Sequence, residues 1–143
     1  MMGKVQPLTR TPLLKKIHCS YLPVKNLQES AEWYEKVLGL KRLKEDGSIM
    51  VLAEGQWIFL LEAKDNVTSN FYTAQWQGEN YEMFSLTFEV DDIQLIHQTL
   101  EESGVEIEPI LDDGSCGLKF TFKDINGNKF HVWQDSTRKD GVV

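Results

Sequence analysis

One order of elements is written twice in this chain of 143 residues. The run Leu22-Pro23-Val24-Lys25-Asn26-Leu27 leads into a stretch with helical spacing that ends at Leu38-Gly39-Leu40. The run Phe88-Glu89-Val90-Asp91-Asp92-Ile93 leads into a second such stretch, ending at Ser103-Gly104-Val105. Val24 precedes Gly39 by 15 residues and Val90 precedes Gly104 by 14. Each copy continues into three short strand-like runs. A strand-helix-strand-strand-strand unit repeated within the length of one domain restricts the fold to two equivalent halves around shared apolar surface.

Alternation and capping signals place the elements. Lys16 to Val24 reads as a strand and Asn26 as the cap of the helix that follows. Ala31, Trp33, Tyr34, Val37 and Leu38 form one face of that helix at spacings of three and four, and Gly39 ends it. Asp46-Gly47 turns the chain into strands at Ser48 to Ala53 and Gln56 to Glu62. In the second half, Met83 to Val90 is a strand and Asp91 or Asp92 caps a helix with Ile93, Leu95, Ile96 and Leu100 as its core face. His97 on its flank is expected to meet solvent. Glu106 to Leu111, Leu118 to Lys123 and Lys129 to Gln134 are further strands, the last two joined by the hairpin Asp124-Ile125-Asn126-Gly127-Asn128. Between the halves lies a long polar stretch, Lys64 to Tyr81, that carries Phe71, Tyr72, Trp76 and Tyr81. Two readings stay open: a linker whose aromatics pack on a sheet, or a lid over a pocket.

Composition narrows the function classes. A net charge of −7 argues against nucleic acid and against anionic membrane surfaces as partners. No apolar run reaches the roughly 20 residues that span a bilayer, and the first twelve residues lack the apolar core of a signal peptide. Two cysteines without a CxxC pair suit a reducing compartment, so a cytoplasmic protein is expected.

Taken in order, these patterns resemble the vicinal oxygen chelate superfamily of glyoxalases, bleomycin and fosfomycin resistance proteins and extradiol dioxygenases. The resemblance rests on Leu22-Pro23-Val24-Lys25-Asn26-Leu27, Ala31-Glu32-Trp33-Tyr34, Val37-Leu38-Gly39-Leu40 and Phe88-Glu89-Val90-Asp91-Asp92. The last hairpin is similar to the family's Asp-Pro-Asp-Gly-Asn turn, with Ile125 in place of the proline. It implies an α+β fold of two βαβββ modules that form an incomplete barrel around a cavity. The expected single domain covers residues 15–135, with module one at 15–63, the linker at 64–81, module two at 82–135, and loose tails at 1–14 and 136–143. A homodimer is expected as well, because many members build cavities across the subunit contact and each half leaves an edge strand to cover.

Strand residues alternate faces. If Leu22 and Val24 pack under the first helix, then Cys19, Tyr21 and Pro23 face the cavity. The same register in the second half turns Ser85, Thr87 and Glu89 inward. On the closing strands it selects Trp57, Phe59 and Leu61, and Lys129, His131 and Trp133. Metal-binding members of the family place His, Glu or Gln at four related strand positions, which here hold Cys19, Phe59, Ser85 and His131. That set lacks the converging nitrogen and carboxylate donors a metal requires, so no metal or other cofactor is expected. His18 is expected on the outer face with the helices. A bulge that turned it inward would make a triad of His18, Glu62 and His131, the alternative of a metal-dependent lyase or dioxygenase.

The leading expectation is a metal-independent, small-molecule-binding protein that takes an aromatic or cationic compound. Tyr21, Trp57, Phe59, Phe120, Phe122 and Trp133 would line the cavity, with Cys19, Ser85, Thr87, Glu89 and His131 completing it. No catalytic residue is assigned. A third reading is an interaction module whose barrel is filled by these same aromatics.

Overall fold

The structure is a computed structural model that describes residues 11–136. Of the expected tails, residues 1–10 and 137–143 lie outside the described residues. The first half runs β1 (Cys19–Val24), α1 (Leu27–Lys36), β2 (Lys41–Arg42), β3 (Ile49–Val51) and β4 (Trp57–Glu62). These strands form one sheet in the order β1-β4-β3-β2, with β1 parallel to β4. A small ladder follows, β5 (Phe71–Tyr72) with β6 (Glu82–Met83). The second half runs β7 (Leu86–Glu89), α2 (Ile93–Glu102), β8 (Leu111–Asp112), β9 (Leu118–Lys123) and β10 (Lys129–Gln134), in the order β7-β10-β9-β8. The two halves therefore repeat one βαβββ topology, in an α+β fold whose sheets do not close into a barrel.

The repetition extends to how each helix starts. Asn26 accepts from the Glu29 amide at 2.8 Å and Asp92 from the Leu95 amide at 3.1 Å. A second acceptor comes from the end of the closing strand. The Glu62 carboxylate takes the Leu27 amide at 2.8 Å, and the Gln134 side-chain carbonyl takes the Ile93 amide at 2.8 Å. Two of the helix's orphan N–H groups are thus satisfied in each half.

The helices cover one face of each sheet. Leu22, Val24, Ile58 and Leu60 are buried with Ala31 and Tyr34 of α1, and Phe120, Phe122, Phe130 and Val132 with Ile93 and Leu100 of α2, in one continuous core. This corrects the expectation for Phe120 and Phe122. They lie opposite Val132 and Phe130 across β9–β10, so the pleat turns both to the helix side, and of the two only Phe120 still borders the hollow over β9–β10. Leu95 also differs, being 61% exposed because it lies off the stripe of Ile93, Ile96 and Leu100. His97 is half-buried, bonded to the Glu108 carbonyl at 2.9 Å with its ring edge-on to Phe120.

Several strand expectations are trimmed, among them Ser48 to Ala53, which shortens to Ile49–Val51. Lys16 to His18 stay outside β1, and Glu106 to Ile110 contribute only an isolated bridge from Ile107 to Phe122. Pro109, which has no amide hydrogen to give a ladder, falls in that stretch. Met83 to Val90 breaks at Phe84-Ser85, because Met83 pairs with β5 and only Leu86–Glu89 join β10.

The Asp124–Asn128 hairpin joins the halves. Asp124 is buried, and its carboxylate accepts from the Tyr34 hydroxyl, the Asn126 amide at 2.8 Å and the Asn128 amide at 2.9 Å. Asn126 accepts from the Lys25 amide at 2.9 Å and donates to Ser30 at 3.1 Å, while Asn128 donates to the Pro23 carbonyl at 3.0 Å. The end of β1 and the first turns of α1 are thereby tied to module two. The hairpin also holds the connecting segment. Asn128 accepts from the Ser69 amide at 2.8 Å, and Asn70 donates to the Gly127 carbonyl at 2.9 Å while accepting from the Lys129 amide at 2.7 Å.

Candidate functional site

Each sheet presents its other face to open space. On the first sheet the parallel register sets Cys19 beside Trp57 and Tyr21 beside Phe59. The Tyr21 and Phe59 rings stack with centroids 4.8 Å apart, and Trp57 meets Phe59 edge-on at 6.2 Å. Tyr21 stays 61% exposed. A hydrogen bond with the Cys19 side chain, then the charge that thiol carries when ionised, raises the Tyr21 phenol above its ordinary pKa.

On the second sheet Thr87 lies beside His131 and Glu89 beside Trp133. The Thr87 hydroxyl and His131 Nδ1 are 3.1 Å apart and hydrogen-bonded. Phe84 stacks on the imidazole at 4.7 Å, nearly parallel at 10°. Burial first, and the Lys119 ammonium second, lower the His131 pKa from its ordinary value, which favours the uncharged ring. Trp133 is fixed by its indole N–H, which donates to the Cys116 carbonyl at 2.7 Å. The Lys129 ammonium sits 4.1 Å over the Tyr81 ring and donates to the Glu82 carbonyl at 2.7 Å.

Two hollows open onto these groups. One, of about 640 Å³, lies over β9–β10 and is bordered by Trp76, Tyr81, Phe84, Lys119, Thr121 and His131. Another, of about 430 Å³, separates the edges of β1 and β7 and is lined by His18, Cys19, Trp57, Thr87 and Glu89 among others. Four residues expected from the sequence, Cys19, Trp57, Thr87 and Glu89, thus border one cleft. His131 lines the larger cavity and reaches that cleft only through Thr87. Tyr21 and Phe59 form the stack on the first sheet, Trp133 is held at the far end of β10, and Ser85 sits in the bend before β7.

Trp76, Tyr81, Phe84, Lys119 and Thr121 were missed by strand alternation. The first two belong to the connecting segment, whose run of aromatics in polar sequence was the available signal. Neither earlier reading of that segment describes it fully. Phe71, Tyr72 and Trp76 are each more than half exposed rather than packed on a sheet, and the segment is tethered at Ser69 and Asn70.

The fit to a metal fails on chemistry and on distance. Phe59 at one of the four related positions has no donor atom and is engaged by Tyr21, and Ser85 offers only a neutral hydroxyl. The alternative triad is not formed. His18 precedes β1 and edges against Trp57 at 5.4 Å, whereas Glu62 ends the neighbouring parallel strand and caps α1. Six residues of strand rise separate their levels by roughly 20 Å. Among the described residues no group of three His, Cys, Asp or Glu side chains is placed to hold a metal ion. The sheets stay open, and aromatic residues border a hollow over β9–β10.

Residues 16–132 match the family model of the glyoxalase/bleomycin resistance protein/dioxygenase superfamily. Among curated proteins none matches the chain. Solved structures share the fold at low identity. A glyoxylase/bleomycin resistance protein/dioxygenase domain from Frankia sp. EAN1pec is 20% identical with a TM-score of 0.62, over 87% of this chain and 99% of that one. The antibiotic binding protein TnmS3 from Streptomyces sp. CB03234 is 15% identical with a TM-score of 0.59, again over 87% and 99%. The fosfomycin resistance protein FosX from Listeria monocytogenes, complexed with Mn(II) and sulfate, is 15% identical with a TM-score of 0.64, over 89% and 95%.

Proposed function

The chain belongs to the glyoxalase/bleomycin resistance protein/dioxygenase superfamily, and from that premise we propose that it is a metal-independent binding protein for a small aromatic or cationic molecule. The observation that carries this reading is the cavity of about 640 Å³ whose wall stacks Phe84 on His131, with Trp76 and Tyr81 at its rim. Its volume lies within the range that takes a drug-sized ligand. Rings at the rim add affinity by stacking, and Thr121 and His131 add orienting polar groups, His131 being bonded from behind by Thr87. A separate cleft gathers Cys19, Trp57, Thr87 and Glu89 and meets the cavity only through the Thr87–His131 hydrogen bond. TnmS3, described as an antibiotic binding protein, has the same fold and agrees with this class of role. The protein would work as a homodimer that covers the edges of β1 and β7, in a compartment that keeps Cys19 and Cys116 reduced.

A thermal-shift screen of planar aromatic and cationic compounds, with and without Zn(II), Ni(II), Mn(II) and Fe(II), tests it. A ligand at 100 times its Kd adds about 2.7 kcal/mol of stability, and Trp76→Ala is expected to weaken that response. Stabilisation only by a metal ion retained one per chain, with no response to any organic compound, would overturn the proposal.

A further inference from the structure

We propose that a hollow between the two halves, on the helix side of the sheets, is a second ligand site that takes a free aliphatic carboxylic acid, its chain inside and its carboxylate at Lys41. The hollow measures about 620 Å³, room enough for a small molecule. It faces away from the cavity over β9–β10 and stands apart from the ligand reading given above. Ile58 and Val132 on its floor alternate along their strands with Phe59 and His131, which turn to the open side.

The lining sets the body of the ligand. Leu38, Leu52, Val90, Ile96, Phe122 and Val132 form the wall, so aliphatic side chains predominate. The cavity over β9–β10 is built differently, with Trp76, Tyr81 and Phe84 beside the polar Thr121 and His131. Only three side chains that border the hollow carry polar atoms, namely Tyr34, Lys41 and Glu89. The Tyr34 hydroxyl is already given to Asp124. A polar group on the body of a ligand would therefore lose its water without finding a partner, and an unbranched alkyl chain loses nothing.

The two charged residues set the head group. Glu89 stands where the hollow meets the cleft between β1 and β7, because it borders both, whereas Lys41 borders the hollow and not the cleft. Arg42 beside it is held by Glu35 at 3.0 Å, but the Lys41 ammonium makes no ion pair among the described residues. An unpaired cation at the rim of an apolar hollow, with a carboxylate at the other border, attracts an acidic head to the Lys41 side and disfavours it at Glu89.

Calorimetric titration of the full chain with octanoate, decanoate and dodecanoate, each below its micelle concentration, tests the proposal. One acid per chain is expected to bind, roughly tenfold tighter for every two methylenes added until the hollow is full. Lys41→Gln is expected to weaken dodecanoate about threefold, the share of an exposed ion pair, and to leave 1-dodecanol unchanged. Leu52→Trp, which fills the hollow, should abolish binding of both; if circular dichroism shows that it does not fold, the Lys41 variant still decides. Methyl NMR signals of Ile96 and Val132 should shift with dodecanoate while the His131 imidazole signals stay in place. No saturable binding, an affinity that keeps rising with chain length, a Lys41 variant that treats acid and alcohol alike, or shifts at His131 instead of Ile96 would each overturn it. Retention of the chain on vesicles of phosphatidylcholine and phosphatidylglycerol would make a bilayer lipid the occupant and overturn it as well. An aromatic ligand of the cavity over β9–β10 is titrated separately, so failure here leaves that reading untouched.

Discussion

The Tyr34 hydroxyl donates to Asp124 where water is excluded, so each group depends on the other. Tyr34→Phe would leave a buried carboxylate one donor short, and a urea melt should show a loss of about 1–3 kcal/mol. Burial, reinforced by the Asp124 charge and the hydrogen bond, holds the phenol well above 10.0. Below pH 10 both folded and unfolded chains keep this proton and the contribution is whole. As pH rises further the unfolded chain ionises first and the contribution is lost, an alkaline slope that Tyr34→Phe should remove. His131 carries the opposite sign. Its folded pKa lies below 6.5, so its contribution is present above 6.5 and disappears as pH falls through the lower folded value. NMR should place the imidazole midpoint below 6.5, and His131→Asn should flatten the dependence of stability on pH in that window. A midpoint above 6.5 would contradict the burial argument. The alternation of β10 was enough to select His131 from sequence. Its partner Phe84 was hidden because it sits in a break inside what reads as one uninterrupted strand.

Each helix is started by the last residue of its own sheet, which makes Glu62 and Gln134 equivalent despite their different chemistry. Glu62→Ala is expected to cost about 1 kcal/mol, the usual loss of an N-terminal cap. Gln134→Ala should cost more, about 1–3 kcal/mol, because Gln134 is buried and strands the Ile93 amide away from water. Equal losses in paired denaturant melts would show that burial does not separate the two caps. Both helices and the longer strands were legible in sequence because their apolar spacing survives in three dimensions. The β5–β6 ladder was not, since two-residue strands have no period and are defined by a partner across a loop. The facing of β9 was equally hidden, because a run with Phe120 and Phe122 on one side has the same alternation whichever side is buried.

The doubled topology was visible at the scale of the whole molecule, but the way the halves meet was not. Their junction is made by short polar side chains that bridge 90 to 105 residues, and no local pattern marks such partners. The same junction fixes the connecting segment, so Asn70→Ala should free its neighbours Phe71 to Tyr81. Limited proteolysis is expected to cut faster there, and any ligand of the cavity beside Trp76 to bind roughly tenfold more weakly, the loss of about one good hydrogen bond. Unchanged cleavage would mean that the β5–β6 ladder holds the segment unaided. The Asp124–Asn128 hairpin also sets a timetable. During synthesis Tyr34, Ser30 and the Lys25 amide leave the ribosome long before residues 124–128, so module one must wait through most of translation with buried donors unanswered. A nascent chain stopped before Asp124 would therefore be a natural client for chaperones, although its own βαβββ unit is already complete.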